Sequence, residues 1–253
     1  MNHLVIALII FVCIFGSSLL GLYVRAMLPA NHLSDDSINV VKMATGLIAT
    51  MAALVLGLLV SSAKGSFDTM DHELVQSAAS VVRLDRTLAR YGTETHELRA
   101  SLKHIYEGSI EMINSDDPAQ LARLGGPEAV GRTEEFQRQV EALAPRNDEQ
   151  RQLKARALAI VDDLFAGRWL ALLQIKGSIP VSLLIVLVLW LCIIFGSFGL
   201  FAPGNATVIA ALFMCALSTS GAIFLIQEMS TPLGGMVRVS VAPMRVALAR
   251  LGE

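Results

Sequence analysis

The sequence predicts an all-α membrane protein: four transmembrane helices, with an α-helical domain inserted between the second and third. Three observations carry this. First, residues 4–24, 43–63 and 177–227 contain no Asp, Glu, Lys or Arg, and the last stretch is interrupted only by the turn-forming APGN at 202–205. About 20 apolar residues cross the hydrocarbon core of a bilayer, so 177–227 reads as a hairpin of two spans, 180–202 and 206–227. Second, residues 64–176 hold 33 of the 42 charged side chains. Third, apolar residues in that charged segment recur every three or four positions, which is the helical period, and strand alternation is nearly absent.

The first span follows MNH, which carries no Lys or Arg. Its apolar core is longer than that of a signal peptide and no small-residue cleavage pattern follows, so the span is expected to remain. A short outer loop then carries Arg25, Pro29, His32, Asp35, Asp36 and Lys42. His32 with two aspartates resembles half of a metal site, but this set in a short loop reads as a hydrated loop, and no metal is expected.

In the second span Gly46, Thr50, Ala53, Gly57 and Ser61 fall at spacings of 4, 3, 4 and 4, a stripe of small residues on one helical face. In lipid, small residues let helices approach closely. The stripe is therefore either a groove for a neighbouring helix of the same chain or a face turned to an oligomer axis, lining a narrow pore. Ile48, Val55 and Leu59 make the opposite side bulky, suited to lipid or core contact.

No proline separates this span from the apolar series Phe67, Met70, Leu74, Ala78, Val81, Leu84 or Asp85, Leu88 and Tyr91. The second helix is thus expected to run on as one rod, with Lys64-Gly65 its weak point. Tyr91-Gly92 reads as a C-terminal cap, and Thr93 or Thr95 as the start of the next helix, with Leu98, Leu102, Ile105, Ser109 and Met112 on one side. Residues 114–131 are rich in turn formers and hold a short helix. Two further helices are predicted over 134–144 (Phe136, Val140, Leu143) and 148–174 (Leu153, Ala157, Ile160, Leu164, Arg168, Leu172). Ser178 and Pro180 suit the cap and first turn of the third span.

Acidic residues interleave the arginines of RLDRTLARYGTETHELR, so this run reads as a solvated helix face with local ion pairs, not as an anion or nucleic-acid patch. His72, His96 and His104 read as surface histidines. The third span carries Trp190 and FGSFG; the fourth carries ALSTSG, where Ser218, Thr219 and Ser220 return hydrogen bonds to their own helix or a partner. Cys13, Cys192 and Cys215 fall in three different spans and read as packing residues, with no disulfide or zinc site.

Glu228 ends the charge-free run and is followed by Pro232 and Gly234-Gly235. At the inner boundary of the fourth span a carboxylate reaches water or a basic partner without full burial. Its expected role is a hydrogen-bonded turn anchor. Residues 228–253 then space Arg238, Arg245 and Arg250 among apolar residues, an amphipathic tail that lies along the membrane surface or packs under the bundle.

Orientation follows from basic residues near span ends. With the N-terminus inside, the cytoplasm receives Lys64, Arg168, Lys176, Arg238 and Arg245, and the outside keeps Arg25 and Lys42. The expected organisation is two spans with a short outer loop (1–63), a helical cytoplasmic domain (64–176), a transmembrane hairpin (177–227) and a cytoplasmic tail (228–253), in a bacterial inner membrane with both termini cytoplasmic. No phosphate-binding glycine loop, nucleophile elbow or zinc-protease motif is present. Neither an enzyme, a cofactor nor a nucleic-acid partner is predicted.

RAMLP with the histidine that follows it, TGLIATMAALVLGLLVSSA, VRLDRTLARYG, WLCIIFGSFGLFAPGN and FLIQEMSTPLGGMVRVS together resemble the bestrophin-like family of bacterial membrane proteins, related to the bestrophin anion channels. The resemblance extends along nearly the whole chain. It implies a pentamer with four membrane helices per subunit, cytoplasmic termini, a helical cytoplasmic domain and an axis lined by the helix carrying Gly46–Ser61. The chain departs from bestrophins at the end of the fourth span. There, bestrophins carry a glutamate directly before Pro-Phe-Gly, then acidic residues that form a calcium clasp in animal members. Here Glu228 precedes Pro232 by a longer spacing, Leu233 replaces the aromatic and no acidic run follows, which argues against calcium gating. The second span also lacks the phenylalanines of the bestrophin neck.

Two functions follow. One is a homo-oligomeric channel or pore for small inorganic ions, gated by apolar residues of the second span through dewetting. The alternative is a non-conducting scaffold or sensor that binds a cytoplasmic partner through its helical domain. A transporter is disfavoured, because no span carries a charge and no inverted repeat is evident.

Overall fold

The structure is a computed structural model and describes residues 3–29, 35–115, 117–174 and 180–253. Among these residues there is no strand. The helices are α1 (His3–Met27), α2 (Asp35–Tyr91), α3 (His96–Asn114), α4 (Pro118–Arg123), α5 (Pro127–Glu141), α6 (Asp148–Gln174), α7 (Val181–Phe201), α8 (Ala206–Met229) and α9 (Ala242–Ala249). Four of them, α1, α2, α7 and α8, are long and apolar enough to cross a membrane. His32 and Ser178 lie outside the described residues.

The chain divides into two compact units, Met1–Gly65 with Ser178–Ser230 and Ser66–Gly177 with Thr231–Glu253. The division falls inside α2, which continues unbroken for 57 residues. Gly65 does not interrupt it.

In the membrane unit, α1 and α7 run in the same direction and approach at backbone distance. A Cβ added to Gly199 would lie 1.9 Å from the Ser18 carbonyl oxygen, and one added to Gly21 would lie 2.1 Å from that of Gly196. Ser18 itself is fully buried and donates its hydroxyl to the Phe15 carbonyl, which removes the cost of placing it there. Phe11 and Phe15 of α1 meet Phe213 of α8 edge-on, with centroids 5.3 and 5.4 Å apart. Ile14, Leu187, Ala216 and Ile223 fill the centre. Sequence patterning singles out small residues on α2; the closest backbone approach uses those of α1 and α7.

The helical unit is built on the second half of α2. The sequence period from Met70 to Tyr91 is realised as drawn: Met70, Leu74, Ala78, Val81, Leu84, Leu88 and Tyr91 are all buried. Gly92 ends the helix at φ 141°, ψ −179°, a conformation reserved for glycine. Thr95 precedes α3, but its hydroxyl does not cap that helix; it donates to the carbonyls of Leu88 and Gly92, locking the turn instead. On α3 the core face is Leu98, Leu102, Tyr106, Ile110 and Ile113, so of the residues expected on one side Ile105, Ser109 and Met112 sit at its edge. The fifth helix begins at Pro127, seven residues before the expected 134, because Gly126-Pro127 supplies an extended cap residue and a proline at the first turn. Helix α6 occupies 148–174 as the sequence predicts. Where sequence reading sets 228–253 apart as a tail, Leu233, Val239, Met244, Ala247 and Leu251 enter the same hydrophobic core as α2, α3, α5 and α6.

Candidate functional site

The candidate site is the face of α2 that bears Gly46, Thr50, Ala53, Gly57 and Ser61. All five are exposed within the chain. A Cβ at Gly46 or Gly57 would meet nothing within 4 Å. The face of α2 that packs on the membrane unit is a different one, Thr45, Ala52, Leu59 and Ala63, each at most 8% exposed, with Ile48, Val55 and Leu56 partly covered beside it. Among the described residues, then, no helix of the same chain covers this stripe. Heptad-like spacing of Thr45, Ala52 and Leu59 creates the inward seam, and the stripe lies well round the helix from it. Leu47, Leu54 and Leu58 continue the exposed surface to one side. Thr50 donates its hydroxyl to the Leu47 carbonyl at 2.7 Å, so its donor is satisfied within its own helix.

At one end of the membrane unit Arg25, in the last turn of α1, donates to the carbonyl of Ala202 just past α7. The guanidinium so satisfies a carbonyl that the end of α7 leaves open. Arg25 is thus a helix-end clamp within the chain. At the other end Glu228 is 3% exposed and meets His3 of α1, whose Nδ1–H donates to Oε1 at 2.9 Å. The expected anchor role thereby has a specific partner, His3, which the sequence by itself does not single out. The clue available was that His3 and Glu228 each stand at the end of a charge-free run. We expect His3→Ala and Glu228→Ala each to cost about 1.5–3 kcal/mol, the range for hydrogen bonds to charged groups, and the double variant to cost little more than either. Thermal unfolding in detergent checks this; strictly additive losses, or an unaffected Glu228→Gln, would remove the pairing.

In the helical unit Pro232 is buried and its carbonyl accepts from the Val239 amide at 3.0 Å, while Gly234 N–H donates to Thr231 O at 3.0 Å. Gly235 has φ 101°, which explains a glycine there. Arg238 donates to the carbonyls of Gly235 and Ser115. The predicted turn residues therefore hold Thr231–Glu253 on their own unit.

The arginine-rich run is more ordered than a solvated face. Asp85 is fully buried and receives both Nε and Nη2 of Arg99 at 2.8 and 2.9 Å, joining α2 to α3. That hydrogen bond, more than the charge alone, raises the Arg99 pKa against the opposing effect of burial. Arg168, counted in the sequence as a span-end cation, instead donates to Thr133 Oγ1 and the Leu124 carbonyl inside the unit.

A family model described as a Bestrophin-like domain matches residues 12–244. The chain belongs to the bestrophin-like family. Among solved structures, this bestrophin-like chain is similar to a bacterial bestrophin homologue from Klebsiella pneumoniae, crystallised as a single-substitution variant, with a TM-score of 0.61 over 96% of this chain and 97% of that one. At 15% identity the likeness is one of fold. Comparison with curated proteins gives no match. The bestrophin-like fold, with four helices able to cross a bilayer, makes this a membrane protein.

Proposed function

We propose that this bestrophin-like chain is one subunit of a homo-oligomeric ion channel in a bacterial inner membrane, its pore lined by the membrane-spanning half of α2. The observation that carries the reading is the uncovered stripe Gly46, Thr50, Ala53, Gly57 and Ser61. A face of small residues gains most from close approach of another helix, and here its own chain leaves it open. Five copies about an axis, the number the bestrophin resemblance implies, would turn such faces inward around a narrow passage. Exposed Leu54 and Leu58 beside it supply apolar side chains for gating by dewetting. Both termini and the helical unit are placed in the cytoplasm, following the basic residues that flank the spans.

Protein reconstituted in liposomes is expected to pass small inorganic ions. Thr50→Trp is expected to reduce that flux at least tenfold while the oligomer mass in nanodiscs stays unchanged, since the position contacts no core residue. A monomer in nanodiscs would refute the pore. An intact oligomer without flux for any small ion, across pH and voltage, would favour the scaffold or sensor reading.

A further inference from the structure

The helices of the helical unit do not close fully on one another: they leave a cavity of about 580 Å³. That lies within the range of small-molecule sites, roughly 300–1,000 Å³. Its walls include Leu84, Leu102, Phe136 and Val161, all core residues. Polar side chains interrupt this apolar lining, and two of them, Tyr106 and Arg168, bear on what it could hold.

The first is Tyr106, which is 5% exposed and whose hydroxyl is buried without a hydrogen-bond partner among the described residues. Buried hydroxyls in folded proteins are nearly always partnered, because an unmet donor forfeits its water bonds with nothing in return. Burial also raises the Tyr106 pKa, so the group stays a neutral O–H donor. The second is Arg168, half-buried and bonded only to neutral acceptors, Thr133 Oγ1 and the Leu124 carbonyl. Neither of these partners is a carboxylate, and burial first, then repulsion from a second cation, Arg132, lower its pKa. Three further charged side chains border the cavity: Arg83 and Asp163 on its exposed side, and Glu73, one of whose carboxylate oxygens is buried. An arginine keeps its charge even so, and a desolvated guanidinium beside a second cation favours an anion.

We propose that this cavity binds a small amphipathic carboxylate, with its apolar tail between Leu84, Leu102, Phe136 and Val161 and its head group taken by the Tyr106 hydroxyl and the Arg168 guanidinium. Such a ligand gives Tyr106 its missing acceptor and Arg168 its missing counter-charge. The proposal is independent of conduction through α2.

Octanoate, octanol and octylammonium titrated into the full-length protein in nanodiscs, with empty nanodiscs as blank, test it by ligand-observed NMR. Saturable binding is expected for octanoate, weaker binding for octanol and none above blank for octylammonium. Tyr106→Phe is expected to weaken octanoate roughly 3- to 10-fold, the effect of one hydrogen bond, while melting no lower than wild type because the hydroxyl it removes has no partner in the chain. Ser77→Trp, which fills the cavity from α2, is expected to abolish binding. No saturable octanoate signal, octylammonium binding as tightly, or unchanged affinity in Tyr106→Phe would each overturn the proposal. A marked loss of thermal stability in Tyr106→Phe would do the same, by showing the hydroxyl already engaged.

Discussion

Gly199→Ala is expected to lower stability by about 3 kcal/mol or to prevent folding, a large effect for one methyl group. The added Cβ would sit 1.9 Å from the Ser18 carbonyl oxygen and 2.9 Å from its carbon, so the obstacle is backbone and no side chain can rotate away. Overpacking a close-packed site costs about 1–3 kcal/mol when side chains can adjust, and a backbone obstacle puts this change at the top of that range or above it. To accommodate it, α1 and α7 would have to separate along their whole contact, opening the core around Ile14 and Leu187. Gly21→Ala meets the Gly196 carbonyl at 2.1 Å and should behave alike. Gly196→Ala is the internal control, because its Cβ finds the Ser17 oxygen at 3.6 Å, an ordinary contact. Gly57→Ala enters open space and should leave the folding of a single chain unaffected. Thermal unfolding of the four variants in one detergent ranks them; equal melting of Gly199→Ala and Gly57→Ala would contradict the α1–α7 geometry.

Asp85→Ala is the second large effect, expected to destabilise the helical unit by about 3–5 kcal/mol. The magnitude comes from what is left behind: Arg99, largely buried, loses two charge-assisted hydrogen bonds at once. Asp85 also accepts from the Gly252 amide at 3.4 Å, and Arg99 reaches the Glu253 main-chain oxygen at 3.5 Å, so residues 252–253 lose part of their support as well. Lys103, donating to Leu251 O, and Arg86, donating to Glu253 O, both at 3.3 Å, are what remains to hold them, with Leu251 in the core. By contrast the exposed Arg86–Glu253 contact at 3.6 Å is screened by water, and Glu253→Gln should change stability by less than about 1 kcal/mol. Replacing Asp85 and Arg99 together by Leu and Met should recover most of the loss, since the pair stabilises chiefly by not leaving a lone buried charge. Hydrogen exchange of α3 in Asp85→Ala locates the damage; protection unchanged there would show that the pair is not structural.

What could be read from the chain alone followed local physics. A run without charge, long enough for a bilayer, gives the four spans within a few residues: α7 and α8 occupy Val181–Phe201 and Ala206–Met229 against the expected 180–202 and 206–227. The three-to-four spacing of apolar residues gave the core face of α2 from Met70 to Tyr91 and the extent of α6. A glycine-proline pair that starts α5 was overlooked because it sat among turn formers, where Pro reads equally as a loop.

The four spans, the long helices and their amphipathic faces were thus set by properties of single segments: hydropathy, period and caps. Which small residues touch, and which charges meet, was decided only in three dimensions. Gly46–Ser61 and Gly21 with Gly199 look alike as patterns, yet one face stands open and the other touches backbone. His3 with Glu228, 225 residues apart, and Asp85 with Arg99 across two helices are likewise pairings between segments. A periodic pattern states which way a residue points relative to its own helix axis; it carries no information about what stands opposite, and contact energies depend on both partners.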